Sequence, residues 1–171
     1  TGSIKFYQHP SKTVLKNSNV IAVGTPKQNA LIKQLNSKLY FKYNRSLTAF
    51  KSNEKLSLTA DFGRSIGTDQ LLRSPYNAKR GLLVVTGATS QATYHASSQL
   101  NTVSTIQQYT GDAIVVDTDN QHKGYRFKKN KAIDQALAVK RNLNQNMQLF
   151  IYLGIALIII IVIGTAIVLV M

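Results

Sequence analysis

Residues 81–89 read GLLVVTGAT. Leu82, Leu83, Val84 and Val85 form a continuous apolar run closed by Gly87. A short run without polar alternation fits a strand covered on both faces. Beyond the glycine, Ala92, Ala96, Leu100 and Val103 recur at near-helical spacing. The stretch therefore reads as strand, tight glycine turn, helix.

The same grammar appears upstream. Residues 19–25 (NVIAVGT) are a second apolar run ending near glycine, and Val and Ile favour pleated, covered surfaces. Thr25 can cap a helix, Pro26 suits its first position, and Gln28 stands where a capping box places it. Leu31, Ile32, Leu35 and Leu39 then share one helical face. Downstream, residues 111–117 (GDAIVVD) predict a third core strand. Residues 117–124 (DTDNQHKG) predict a polar turn, and residues 125–127 an edge strand. Residues 40–77 are less regular: residues 56–60 (LSLTA) alternate like a strand, and residues 73–80 (RSPYNAKR) carry the Pro and Asn of a turn. Strands alternating with helices imply an α/β fold, an open sheet with flanking helices.

The chain end differs in kind. Residues 149–171 read LFIYLGIALIIIIVIGTAIVLVM, 23 positions without a charge. A helix of that length is about 34 Å long, against about 30 Å of hydrocarbon. Sixteen of the residues are Leu, Ile, Val or Phe. Their insertion contributes roughly −5 to −10 kcal/mol. We expect one C-terminal transmembrane helix, with Tyr152 at the interface. Gly154 and Gly164 have nine positions between them, so they form no GxxxG seam. The expected organisation is a polar lead-in (1–18), an α/β domain (19–130), a helical stalk (131–148) and a membrane anchor (149–171). The chain opens on Thr and closes inside an apolar run, so a piece of a longer protein is expected.

Charge is lopsided, with 21 Lys and Arg against 7 Asp and Glu, all before the anchor. A net charge of +14 attracts anions over long range: lipid headgroups, nucleic acid or wall polymers. The Lys and Arg before residue 149 argue, by the positive-inside rule, for a cytoplasmic domain. There is no Cys, which removes disulfides and thiolate metal sites.

Catalytic motifs do not complete. VVTGA (84–88) opens like a dinucleotide fingerprint, but Ser90, Gln91 and Ala92 stand where further glycines belong. Residues 24–27 (GTPK) lack the P-loop pattern and read as a helix cap. Asp112, Asp117 and Asp119 lack the Gly and Glu of an EF-hand loop and read as a solvated turn. His9, His95 and His122 are scattered without triad spacing. We expect no enzyme activity, no metal and no cofactor. Two basic stretches, 38–43 and 123–129, interleave aromatics with cations, which suits anionic lipid or single strands; no nucleic-acid motif accompanies them. Nucleic acid is therefore not an expected partner.

Residues 19–36 (NVIAVGTPKQNALIKQLN), 74–89 (SPYNAKRGLLVVTGAT) and 111–116 (GDAIVV), in this order and before one C-terminal span, resemble the C-terminal part of the regulatory subunit family of bacterial cellulose synthases. Tyr76 stands where many relatives carry Trp. The resemblance implies a flavodoxin-like α/β domain outside the cytoplasmic membrane and a single-pass anchor. It implies a non-catalytic accessory or regulatory subunit that supports a membrane glycosyltransferase and guides the exported glucan. The family name often includes cyclic di-GMP binding, a role expected of the catalytic partner. Under this reading Leu149, Tyr152, Gly154 and Gly164 contact the synthase within the bilayer, and Tyr76, Asn77 and Thr89 are candidate polymer contacts. The alternative is a tail-anchored basic module that binds anionic lipid or nucleic acid at the cytoplasmic face.

Overall fold

A computed structural model describes residues 3–127 and Met147. The expected anchor, with Leu149, Tyr152, Gly154 and Gly164, lies outside the described residues, as does the expected stalk apart from Met147. No helix among the described residues is long and apolar enough to cross a membrane.

The elements run α1 (Lys12–Asn17), β1 (Val20–Val23), α2 (Ala30–Leu35) with a 3-10 turn (Asn36–Lys38), α3 (Ala60–Ser65), β2 (Gly67–Arg73), β3 (Gly81–Gly87), α4 (Ser90–Ser98), α5 (Val103–Gln107), β4 (Ala113–Val116) and β5 (His122–Tyr125). The strands form one mixed sheet in the order β1-β3-β2-β4-β5. Among these strand pairs only β1 and β3 are parallel; β2 is antiparallel to β3 and β4, and β5 to β4. The fold is therefore α/β, a sheet with flanking helices.

Strand β3 sorts the core. Leu82 and Val84 point to one face with Ala22, Ala113 and Val115, under Ile32, Leu35, Leu39, Phe41 and Tyr43. Val85 points to the other, with Ile114 and Val116 under Ala96 of α4. Phe41, Ile32, Leu82 and Val84 are at most 1% exposed. Each contributes roughly 1.5–3 kcal/mol by leaving water. Two-sided burial explains why β3 and β4 read as unbroken apolar runs; β1, expected to be covered in the same way, is an edge strand that buries Ala22 and leaves Ile21 and Val23 exposed.

β2 lies at the centre of the sheet, and its sequence, GTDQLLR, begins with polar residues. Thr68 and Gln70 are fully buried, and Asp69 nearly so. Gln70 is satisfied on every side: its Oε1 accepts from Tyr40 N (2.8 Å) and Phe41 N (3.0 Å), and its Nε2 donates to Phe41 O (3.2 Å) and Thr68 Oγ1 (2.9 Å). This one side chain holds residues 40–41 against the sheet.

The expected strand at residues 56–60 is absent; residues 56–59 have no ladder, and Thr59 caps α3 through Phe62 N (3.3 Å). Asn53 and Ser52 supply the partners that a ladder would give: Asn53 Oδ1 accepts from Lys55 N and Leu56 N (both 2.9 Å), and Ser52 Oγ from Leu58 N (2.8 Å). The helix expected from Thr25 starts later. Asn29 is its cap, accepting from Leu31 N (3.0 Å) and Ile32 N (3.4 Å). Thr25 instead closes a preceding turn, where its carbonyl accepts from Gln28 N (3.1 Å) and Asn29 N (2.9 Å). The edge strand falls at residues 122–125 rather than 125–127.

Candidate functional site

The parallel pair β1 and β3 ends at one rim of the sheet, and the chain leaves the two strands in opposite directions. After β1, α2 lies on the face of Ala22 and Val84; after β3, α4 lies on the face of Val85. In open α/β sheets, ligands settle where successive helices diverge in this way, outside the carboxyl ends of the strands. The loop after β1 begins at Gly24, whose φ of +130° is a conformation that favours glycine. Its amide continues the ladder to Val85 O at 3.1 Å. Gln28 Nε2 then donates to Ser90 Oγ at 3.2 Å, tying the two diverging loops together.

Beside this loop lies a cavity of about 710 Å³. Val23, Pro26 and Leu47 contribute apolar wall, Lys27 and Lys33 are its cationic residues, and Tyr7 and His9 also line it. No Asp or Glu lines it. Its size suits a small ligand.

The rim is braced from inside. Thr86 Oγ1 donates to Gly24 O at 2.7 Å, and the Tyr43 hydroxyl lies 2.7 Å from Thr86 Oγ1 and donates to Gly87 O at 2.9 Å. Burial pushes the Tyr43 phenol well above its usual range, so it remains a neutral donor at physiological pH.

The residues expected to touch polymer separate. Thr89 is exposed at the carboxyl end of β3, where its hydroxyl accepts from Ala92 N at 3.0 Å and caps α4. Tyr76 and Asn77 occupy the β2–β3 turn at the opposite end of that strand. Tyr76 packs half-buried against the core. Asn77 closes the turn, its Oδ1 accepting from Lys79 N (3.0 Å) and its Nδ2 donating to Lys16 O (2.8 Å). Seven residues of β3, roughly 23 Å of strand, stand between the two places, so the three do not form one site.

The turn after β4 has the solvated character expected of it. Asp117 Oδ1 accepts from Asp119 N and Gln121 N, both at 2.9 Å. Asp112 Oδ2 accepts from Phe127 N at 2.9 Å. Among the described residues, no cluster of three His, Asp or Glu is placed to hold a metal ion. His122 meets the Tyr109 ring edge-on at 5.2 Å, and His95 lies 3.1 Å from Gln91 Nε2.

Asp69 is a titratable group that no motif or spacing singles out. It is 5% exposed on the central strand, opposite Val85 and Ile114, and neither carboxyl oxygen has a hydrogen-bond partner. Burial pushes its carboxyl up to about 8. The cavity beside Lys27 is equally unmarked in the sequence, because its wall joins the 7–9 segment to the β1–α2 loop and Leu47. The one available signal is the glycine that closes the first apolar run.

No protein-family model matches the chain. No curated protein matches it either.

Proposed function

We propose that the chain is a non-catalytic, membrane-anchored accessory and regulatory subunit of a cellulose or related polysaccharide synthase. Its α/β domain stands outside the membrane and its C-terminal helix packs on the glycosyltransferase. One observation carries the reading. The segments that resemble the cellulose synthase regulatory subunits, at 19–36, 74–89 and 111–116, contribute β1 with α2, β3, and β4, all members of one sheet or its cover. Segments scattered by chance along a chain need not build one architectural unit. The flavodoxin-like description rests on the β1–α2 and β3–α4 units; β2 and β5 run antiparallel to their neighbours, whereas a doubly wound sheet of that kind is parallel.

The test is topology together with partnership. The chain has no Cys, so Thr118→Cys, in the exposed turn before β5, gives a single reactive thiol. The proposal expects that thiol to react with an impermeant reagent on intact cells, and a glycosyltransferase to co-purify in mild detergent. Labelling only after lysis sinks it.

A second reading, a basic module on anionic lipid at the cytoplasmic face, draws on the charge. Among the described residues only Arg64 and Asp61 form an ion pair (3.2 Å), and the described Lys and Arg are solvent-exposed. That reading expects protected thiols and binding that falls steeply with salt.

A further inference from the structure

We propose that the cavity beside the β1–α2 loop binds a small ligand carrying a phosphoryl group on a ring-sized body. The cavity lies at the carboxyl end of the edge strand β1, walled by Val23, Gly24 and the loop into α2. The chemistry of the wall is one-signed: Lys27 and Lys33 line it and no carboxylate does. A neutral sugar gains little from two ammonium groups, whereas a phosphoryl group gains a charge-assisted hydrogen bond from each. The volume of about 710 Å³ exceeds what a bare phosphate fills. Val23, Pro26, Leu47 and the Tyr7 ring offer apolar wall for the remainder, a common division of labour in small-molecule sites. The +14 charge of the chain draws such ligands inward from a distance. The site is independent of the accessory-subunit reading, since a synthase partner is neither required nor excluded by it.

The same phosphoryl chemistry is offered by soluble sugar phosphates and by lipid headgroups. Calorimetric titration of the full chain in phosphatidylcholine nanodiscs, with inorganic phosphate, glucose 1-phosphate and glucose, tests the site. Glucose 1-phosphate is expected to bind more tightly than inorganic phosphate, and glucose not at all. Lys27→Gln with Lys33→Gln is expected to weaken glucose 1-phosphate at least tenfold. Lys51→Gln with Lys79→Gln removes the same charge outside the cavity and is expected to change affinity less than twofold. Matching thermal melts confirm that each pair folds. Repeating the titration in phosphatidylglycerol nanodiscs separates the sources: competition that depends on Lys27 and Lys33 supports a headgroup ligand, and unaltered binding supports a soluble one. The proposal is overturned by absent binding of both phosphates, by equal loss in the two double variants, or by glucose binding as tightly as its phosphate.

Discussion

The Tyr43 hydroxyl lies 2.7 Å from Thr86 Oγ1, joining residues 43 positions apart in the chain at the carboxyl end of β3. The Thr86 hydroxyl donates to Gly24 O, so the Tyr43 hydroxyl is left to donate to Thr86 Oγ1 and Gly87 O. The core thus reaches both loops of the rim through two hydroxyls. Tyr43→Phe is expected to cost about 1–2 kcal/mol, and Thr86→Val a similar amount, because each leaves buried oxygens short of a partner. A double-mutant cycle by urea unfolding should give a total smaller than the sum of the single effects. Strict additivity would show that the hydroxyls act separately.

Gln70 makes a sharper case. Replacing it by Met keeps volume and removes every polar atom of the side chain. Tyr40 N and Phe41 N then lose their acceptor in a buried setting. An unsatisfied buried donor costs about 1–3 kcal/mol. Gln70→Met should therefore lose roughly 2–5 kcal/mol in chemical denaturation, and amide exchange at Tyr40 and Phe41 should accelerate more than at Val84. Equal acceleration at all three would mean that the side chain acts only on global stability.

The buried polar groups also explain what could be read from the sequence. β3, β1 and β4 announced themselves because their apolar side chains leave an unbroken run. β2 did not, although it is central, because Thr68, Asp69 and Gln70 occupy its buried stretch. Burial of Gln70 makes sense only once Tyr40 and Phe41, distant in sequence, are seen to pair with it. Residues 40–59 looked irregular for the related reason that Asn36, Asn44 and Asn53 pair with backbone in place of a ladder: Asn36 Oδ1 accepts from Tyr43 N at 2.7 Å, and Asn44 Oδ1 from Thr48 N at 3.0 Å. The helical face of Leu31, Ile32, Leu35 and Leu39 needed no such partner, and its side chains are buried or half-buried as the spacing implies. Thr89 and Tyr76 were legible as turn residues, but their separation along β3 depends on strand pairing.

Gly67 and Gly87 are paired across β2 and β3, and the first turn of α4 sits on both. A Cβ at Gly67 would come within 2.1 Å of Ala92 O, and one at Gly87 within 2.3 Å of Thr93 N. Both obstacles are backbone, so the helix itself must move. Gly67→Ala and Gly87→Ala should each destabilise by about 1–3 kcal/mol or more through overpacking. Gly81→Ala, whose Cβ would find its nearest neighbour at 3.9 Å, is the control and should fall within about 0.5 kcal/mol of the parent. Thermal unfolding by circular dichroism ranks the three, and a Gly81 variant as damaged as the others would remove the packing argument.

Asp69 sets how stability responds to pH. Its carboxyl titrates near 3.8 when unperturbed and near 8 in the fold. Between those values the unfolded chain is ionised at this position and the folded chain holds the proton. The folded state then binds more protons, so this group lowers stability as pH rises from about 4 to 8, with no further change above the folded value. Below the unfolded value it contributes nothing. Asp69→Asn removes the titration while keeping the shape. The variant should come nearest the parent at about pH 2.5, where the carboxyl is neutral in both states, and exceed it by several kcal/mol at pH 8.5, where the parent must either hold a proton against solvent or bury a charge. Urea midpoints across that range provide the measurement. Parallel curves for parent and variant would mean that the carboxyl is ionised and solvated in the fold, contrary to its burial beside Val85 and Ile114.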